Sequence, residues 1–177
     1  MKKPTLLTDF HSTAKLSPAD WKKLEGLMDL ASEVFTDLIA AKLLPTTKGQ
    51  TFHVSLLICG DERIKKLNHA HRQKDKVTDV LSFPAHESLR KLARAENDVF
   101  LGDLAISIPQ ARRQAKAFNI PVWDEFIHLY FHGLLHLVGF DHEISAQEEK
   151  LMQKWEDKAL DLLSGKKKGG PKAPSKK

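Results

Sequence analysis

The chain has 177 residues, enough for one domain with a hydrophobic core. Its hydrophobic fraction of 41% and charged fraction of 29% are ordinary for a globular protein and exclude the fibrous and fully disordered classes. The formal net charge of +5 comes from residues 165–177, which hold six lysines and no acid, whereas the rest carries 22 Lys and Arg against 23 Asp and Glu. We therefore expect a single near-neutral domain over residues 1–164 and a disordered lysine-rich tail over residues 165–177.

The sequence gives no indication of export or of membrane insertion. Two lysines near the N-terminus have no apolar run behind them, so we expect no signal peptide, and no window approaches the roughly 20 apolar residues of a spanning helix. The one cysteine, Cys59, cannot form an intrachain disulfide and ends the apolar run VSLLIC. We expect a buried thiol, with a reactive one as the alternative, and a cytoplasmic location.

The first predicted elements are an edge strand and a long helix. The strand covers residues 5–11, TLLTDFH. Ser17 is placed to cap the helix, with Pro18 at its first position and Asp20 at its third. Apolar residues then recur at helical spacing until Pro45 ends the run.

Shorter segments follow, in which apolar runs alternate with helical spacing. They are a strand over residues 51–59, a helix over 61–72, a strand over 77–84, a polar loop over 85–98, a strand over 99–107 and a helix over 109–119. The next helix, residues 122–138, is apolar on almost every side, which is typical of a central, buried helix. The last begins at Ser145, where SAQE forms a capping box. Interleaved helices and strands indicate an α+β or α/β layer protein with one sheet.

Polar residues form a stripe on the buried helix. Asp124, His128, His132 and His136 are each four positions apart, so they share one helical face. Buried polar groups need partners, because an unpaired one costs several kcal/mol. A single histidine on such a face is usually a core residue with a satisfied hydrogen bond, and a pair at this spacing makes metal binding an equal alternative.

A glycine just after this helix extends the pattern to three histidines. Gly139 suits a left-handed turn, which would let the chain reverse and return His142 toward the stripe. The resulting spacing, HxxxHxxGxxH, predicts one zinc ion on His132, His136 and His142. Three neutral nitrogens with an open fourth position are typical of catalytic zinc, whereas a structural site would take a fourth protein ligand.

One position departs from the metzincin proteases, which share this spacing. They carry a glutamate directly after the first histidine as general base, and this chain has Gly133 there. A glycine has no side chain to accept a proton. A peptidase is therefore the weaker interpretation.

Three motifs in order resemble the YbeY family, the bacterial endoribonucleases of ribosomal RNA maturation. HGLLHLVGFDH, residues 132–142, is similar to its histidine motif. LNHAHRQKDKVTDVLSFP, residues 67–84, is similar to its LN-x-x-YR-GKDKPTDVLSFP segment, and LGDLAIS, residues 101–107, is similar to its LGD strand. The departures are His71 for tyrosine, Gln73 for glycine and Val77 for proline.

The resemblance implies a single α+β domain with a mixed sheet and a zincin-like central helix that carries the metal ligands. It implies that His132, His136 and His142 bind zinc and that Arg72 acts with the metal on RNA. A guanidinium offers a fixed fork to phosphate oxygens, although an arginine after a helix is otherwise an ordinary surface residue.

The implied function is a zinc-dependent endoribonuclease specific for single-stranded RNA, acting in 16S rRNA 3′ end maturation and ribosome quality control. Its implied partners are ribosomal RNA, the ribosome, and ribosomal or GTPase assembly proteins, with no membrane. Two alternatives stay open: an assembly factor that holds zinc and binds RNA with little catalysis, and a metallohydrolase of another substrate such as a peptide. The lysine tail fits a solubilising end or a salt-sensitive grip on phosphates.

Further polar residues have weaker predicted roles. His69 and His71 are expected to be solvated loop histidines rather than additional ligands. His128 could orient a ligand or contact substrate, since ligating histidines usually have a hydrogen-bond partner of their own. Asp141 and Asp103 are the carboxylates expected nearest to such a role, although structural roles are the simpler expectation for both.

Overall fold

The computed structural model describes residues 3–44, 49–87, 89, 97–142 and 144–166. The described strands are β1 (Thr5–Ser12), β2 (Thr51–Cys59), β3 (Val80–Pro84) and β4 (Asp98–Ser107). The described helices are α1 (Pro18–Ala40), α2 (Asp61–Arg72), α3 (Ile108–Phe118), α4 (Val122–Leu137) and α5 (Ala146–Lys166). The elements form a single α+β domain, as predicted.

The four strands form one mixed sheet in the order β1-β2-β4-β3. Strand β2 is parallel to both β1 and β4, and β3 runs antiparallel to β4. Parallel neighbours need a crossover, which α1 supplies between β1 and β2. Strand β3 therefore lies at one edge of the sheet, beside the helix that carries the histidines.

Helix α4 is the central helix, in agreement with its apolar sequence. It packs on β3 and β4 and against α3 and α5. Its buried residues include Phe126, Tyr130, Phe131 and Leu134. The Tyr130 hydroxyl and Thr8 Oγ1 on β1 are 2.7 Å apart and share a hydrogen bond, so the helix is also connected to the first strand. These contacts fix α4 in place on several sides.

The predicted stripe of Asp124 and three histidines does not include every polar side chain that α4 buries. Glu125, beside the stripe, is fully buried. Its Oε2 lies 3.8 Å from Nδ1 of His128, one helical turn later. A polar neighbour at this distance offsets part of the cost of burying the carboxylate.

Helix starts follow the predicted caps. Ser17 Oγ accepts a hydrogen bond from Asp20 N at 3.1 Å, and Asp20 Oδ2 accepts one from Ser17 N at 2.9 Å, which completes the capping box of α1. At the start of α5, Ser145 Oγ accepts a hydrogen bond from Glu148 N at 3.2 Å. Both helices therefore begin at the serine that the sequence indicated.

Several element ends differ from the prediction, among them the start of β3 and the end of α5. Strand β3 begins at Val80 rather than at residue 77, because Asp79 Oδ1 accepts hydrogen bonds from Val80 N and from the Thr78 hydroxyl and so closes a turn. Helix α5 continues to Lys166, into the first residues of the predicted tail. Residues 167–177 of that tail and most of the predicted loop over residues 85–98 lie outside the described residues.

Helix α5 is attached to α1 at its last residue. Lys166 Nζ lies 3.0 Å from Asp37 Oδ2 and 3.3 Å from Glu33 Oε2.

Within the described residues, no helix is both long enough and apolar enough to cross a membrane. The Cys59 thiol is buried as predicted, and burial raises its pKa to about 11.

Candidate metal centre

Three histidine side chains converge at the end of α4. His132 and His136 lie one turn apart on the helix, and their ring centroids are 4.9 Å apart. The His142 ring lies 5.3 Å from that of His132 and 5.1 Å from that of His136. Each ring offers a nitrogen, and the three nitrogens all lie within 4.8 Å of one another.

Gly139 makes this convergence possible. It has φ +97°, and the hydrogen bonds from Gly139 N to His136 O and from Phe140 N to Leu135 O close the end of the helix. A Cβ at this position would meet nothing within 4 Å, so the backbone conformation, and not crowding, favours glycine here. The turn reverses the chain and brings His142 back to the helix.

The donor set fits a zinc ion. Burial, together with the positive charges that His132 and His142 can carry, lowers the pKa of His136 to about 4. His136 is therefore neutral near pH 7, with a lone pair free to coordinate. Three imidazole donors without a fourth protein ligand, among the residues the structure describes, agree with an open catalytic site.

A carboxylate that the sequence analysis did not single out supports one of these histidines. Glu156 Oε1 on α5 lies 2.5 Å from Nδ1 of His132. Burial opposes the charge of Glu156, but the hydrogen bond and the positive charge of His132 outweigh it and lower the pKa of the carboxyl. The sequence does contain a signal for the burial of Glu156, because this residue interrupts the apolar stripe of α5, one turn after Met152 and three residues before Ala159.

The two carboxylates named from the sequence differ in their distance from the histidines. Asp141 lines a cavity that the three histidines also line. Asp103 is an exposed residue of β4 and does not line this cavity. His128 faces Glu125 and is not among the residues that line this cavity. Asp103 is therefore not placed to support a metal ligand.

Arg72 opens onto the same cavity as the three histidines. The cavity has a volume of about 230 Å³ and is lined by Arg72, Thr78, Asp79, Val80, Ser82, His132, His136, Asp141 and His142. Arg72 is the last residue of α2, and the side chain of Asn68 holds the loop that follows by donating to Lys76 O at 2.9 Å. The structure thus brings together a guanidinium and three imidazoles from distant parts of the sequence.

The departures from the YbeY motif lie on both sides of Arg72. Gln73 has φ +56° at the end of α2, a left-handed conformation that glycine adopts without strain. The ring of His71 packs against the ring of Phe83, with their centroids 4.8 Å apart, so this histidine has an aromatic partner and is not one of the metal-site histidines. His69 and His71 are exposed and do not line the cavity.

Asp79 lines the cavity but has other partners. Burial would raise its pKa, yet hydrogen bonds from Gln114 Nε2, Val80 N and the Thr78 hydroxyl outweigh burial and lower it. A carboxylate stabilised as an anion in this way is a weak proton acceptor. Asp79 therefore fixes the start of β3 and is a poor candidate for a general base.

Gly133 lies close to the side chains of the sheet. A Cβ there would lie 2.8 Å from Leu104 Cδ2, and 3.2 Å from both Ser82 Oγ and Val80 Cγ2. Helix α4 is therefore packed tightly on β3 and β4 at the position where metzincins carry their glutamate. A side chain at this position would require these neighbours to shift.

Comparisons with known proteins identify one family. The family model for endoribonuclease YbeY matches residues 20–164. The chain is 37% identical over 126 residues to endoribonuclease YbeY of a Sulfurihydrogenibium species, covering 71% of this chain and 80% of that protein. It is 41% identical over 123 residues to that of Leptospira interrogans, covering 63% and 87% respectively.

A plant relative and a solved structure extend the comparison. The chloroplastic endoribonuclease YBEY of Arabidopsis thaliana is 42% identical over 120 residues, which cover 68% of this chain and 20% of that protein. The solution structure of TM1509 from Thermotoga maritima has a TM-score of 0.52 at 20% identity, covering 95% of this chain and all of that one, and it supports the fold. On the match to the family model and to these relatives, the chain belongs to the YbeY endoribonuclease family.

Proposed function

We propose that this protein is a zinc-dependent endoribonuclease that cleaves single-stranded RNA. The observation that carries the proposal is the shared cavity, in which Arg72 faces the same space as His132, His136 and His142. A metal site alone would serve many hydrolases. A guanidinium beside it selects for substrates with phosphate oxygens, and the curated relatives are named as endoribonucleases.

Each side chain has a distinct part in the proposed reaction. His132, His136 and His142 would hold one zinc ion, which when bound supplies Lewis acidity to an oxygen of the scissile phosphodiester. Arg72 donates hydrogen bonds to the non-bridging phosphate oxygens, where negative charge develops during cleavage. Asn68 keeps the loop after Arg72 in place through its bond to Lys76 O, so the guanidinium starts from a fixed backbone.

The shape of the cavity favours a single strand as substrate. The cavity has a volume of about 230 Å³ between α4, β3 and the end of α2, which is enough for a phosphate group and part of a ribose but not for an RNA duplex. A flexible strand can bend one phosphate into such a space, whereas a duplex holds its phosphates on a stiff A-form surface. We therefore expect loops and unpaired ends of RNA to be cleaved.

The proposed cellular role is 16S rRNA 3′ end maturation and ribosome quality control in the cytoplasm. The support is membership of the YbeY family, together with a lone buried thiol that suits a reducing compartment. The expected partners are ribosomal RNA, the ribosome, and ribosomal or GTPase assembly proteins.

The test is metal analysis combined with RNA cleavage. Purified protein should contain one zinc ion per chain and cut an end-labelled single-stranded RNA with the sequence of the 16S 3′ end, but leave the same RNA intact when it is annealed to its complement. A chelator should abolish cleavage, and added zinc should restore it. Tight RNA binding without cleavage would favour an assembly factor, and hydrolysis of peptides in its place would favour another metallohydrolase.

A further inference from the structure

The starting observation is a buried carboxylate outside the group of metal ligands. Glu156 lies on the third turn of α5, and its side chain is 9% exposed. Glu125 and Glu156 are the buried acids among the described residues. Burying a carboxylate is costly unless it is paired, and Glu156 is paired with His132 at 2.5 Å.

This contact determines which nitrogen of His132 can bind a metal. A carboxylate only accepts hydrogen bonds, so Nδ1 of His132 must carry the proton. The lone pair then lies on Nε2, the nitrogen on the other side of the ring. A carboxylate in this place also fixes the plane of the ring and makes the ligand more basic.

We propose that Glu156 is a positioning residue for the metal site and that α5 is consequently part of it. Helix α5 packs its buried face, which includes Met152, Trp155 and Ala159, into the core that it shares with α4. Glu156 adjoins this face and reaches across to His132. The inference rests on the zinc site of the proposed function, but it concerns how tightly that site binds metal.

A purely structural role for Glu156 makes the opposite prediction. If Glu156 only joined α5 to α4, its loss would weaken the fold and reduce zinc binding in proportion. Leucine fills the space of Glu156 and removes the cost of burying its charge, but it also leaves Nδ1 of His132 without its acceptor, so some loss of zinc-free stability is expected. The two roles therefore separate in whether the loss of zinc affinity exceeds the loss of zinc-free stability.

The experiment compares Glu156→Leu, Glu156→Gln and Asp157→Asn with the wild-type chain. Asp157 is the next residue on the same helix, is exposed, and bonds to Gln153 at 2.9 Å, so it controls for a lost charge on α5. Zinc affinity is measured by competition with a chromophoric chelator, and thermal unfolding is measured on the zinc-free proteins. Cobalt substitution reports the geometry of the ligands through its visible spectrum.

We expect Glu156→Leu to bind zinc about 10- to 100-fold more weakly, a larger loss than the change in its zinc-free unfolding temperature accounts for. The zinc affinity of Glu156→Gln should lie between those of Glu156→Leu and the wild type, because its amide oxygen still accepts a hydrogen bond from Nδ1 but carries no charge. Asp157→Asn should match the wild type in zinc affinity and in zinc-free unfolding temperature. The cobalt spectrum should change in Glu156→Leu.

Unchanged zinc affinity in Glu156→Leu, or a loss no larger than its loss of zinc-free stability explains, would overturn the proposal. If Glu156→Leu does not fold, Glu156→Gln decides: a folded variant with wild-type zinc affinity and cobalt spectrum would also overturn it. Affinity is measured without RNA. A wild-type protein that binds zinc but fails to cut RNA would therefore contradict the proposed function and leave this inference standing.

Discussion

At the scale of single residues, the three histidines are expected to act as one unit. Replacing His132, His136 or His142 by alanine should each deplete bound zinc, because the described site offers three protein ligands and no spare one. Atomic emission on the purified proteins measures the metal content. His128→Ala is the control and should keep most of its zinc, since His128 faces Glu125. Stoichiometric zinc in the triple alanine variant would show that these histidines are not the ligands.

Arg72 should separate metal binding from chemistry. Arg72→Ala is expected to keep the fold and the zinc but to lose cleavage of single-stranded RNA, because the proposed role of the guanidinium is to bind phosphate and not the metal. Arg72→Lys should recover only part of the rate, since an ammonium lacks the two-pronged geometry. Initial rates on a labelled strand measure this. Arg63→Ala, on the same helix but outside the cavity lining, should cut at the wild-type rate. Wild-type rates in Arg72→Ala would contradict the role.

Gln73 is expected to reduce stability slightly. A left-handed conformation costs a residue with a Cβ about 1 kcal/mol or more, and glycine avoids that cost. Gln73→Gly should therefore raise the free energy of unfolding by roughly 0.5–1 kcal/mol, after subtracting the entropy that glycine adds to the unfolded chain. Urea denaturation measures it. The same substitution at Gln153, inside α5, should lower stability by about 1 kcal/mol.

At the scale of the elements, two helical glycines should respond in opposite ways to alanine. At Gly26 in α1 a Cβ would meet nothing within 4 Å, so Gly26→Ala should add roughly 0.5–1 kcal/mol to the free energy of unfolding through helix propensity. At Gly133 in α4 the Cβ would press on Leu104, so Gly133→Ala should remove about 1–3 kcal/mol. Urea denaturation measures both. Equal stabilisation at the two sites would mean that α4 can move away from the sheet.

The elements themselves were largely predictable, because their signals are local. The capping serine at residue 17 and the apolar run of residues 51–59 each specify a helix start or a strand with little help from the rest of the chain. The start of β3 was missed by three residues, since the turn at Asp79 depends partly on Gln114, far along the chain. The convergence of His142 was predictable because Gly139 lies between it and the helix.

The supporting residues of the site were less predictable, because their partners are distant. Glu156 is separated by 24 positions from His132, and nothing in its neighbourhood says which side chain it will meet. The burial of Glu125 likewise depends on elements packed around α4. Spacing along one helix predicts which residues share a face. It does not predict what the opposite surface brings to that face.

At the scale of the whole molecule, charge is divided between the domain and the end of the chain. Lys166 is already engaged by Asp37 and Glu33, so the test deletes residues 167–177 and leaves α5 intact. Five of the six lysines of the predicted tail lie in the deleted part. If these lysines bind two to four phosphates, deletion should make the slope of log binding constant against log salt concentration shallower by about 1.5 to 3.

The measurement is RNA affinity across a salt series for the full and shortened chains. Cleavage at saturating RNA should be the same for both, because these lysines belong neither to the histidine motif nor to the segment around Arg72. An unchanged slope would assign the phosphate contacts to the domain. A fall in the saturated rate would place the end of the chain at the active site.

The tight fit at Gly133 also limits how this protein can change over evolution. A glutamate there would bring the metal site closer to that of a metzincin, and a single codon change turns some glycine codons into glutamate codons. The side chain would nevertheless collide with Leu104, Ser82 and Val80 before it could act. Those three residues belong to two strands, so the step requires shifts on both strands or substitutions that widen the gap between helix and sheet. The packing of α4 thus acts as a barrier between two kinds of hydrolase that share one arrangement of histidines.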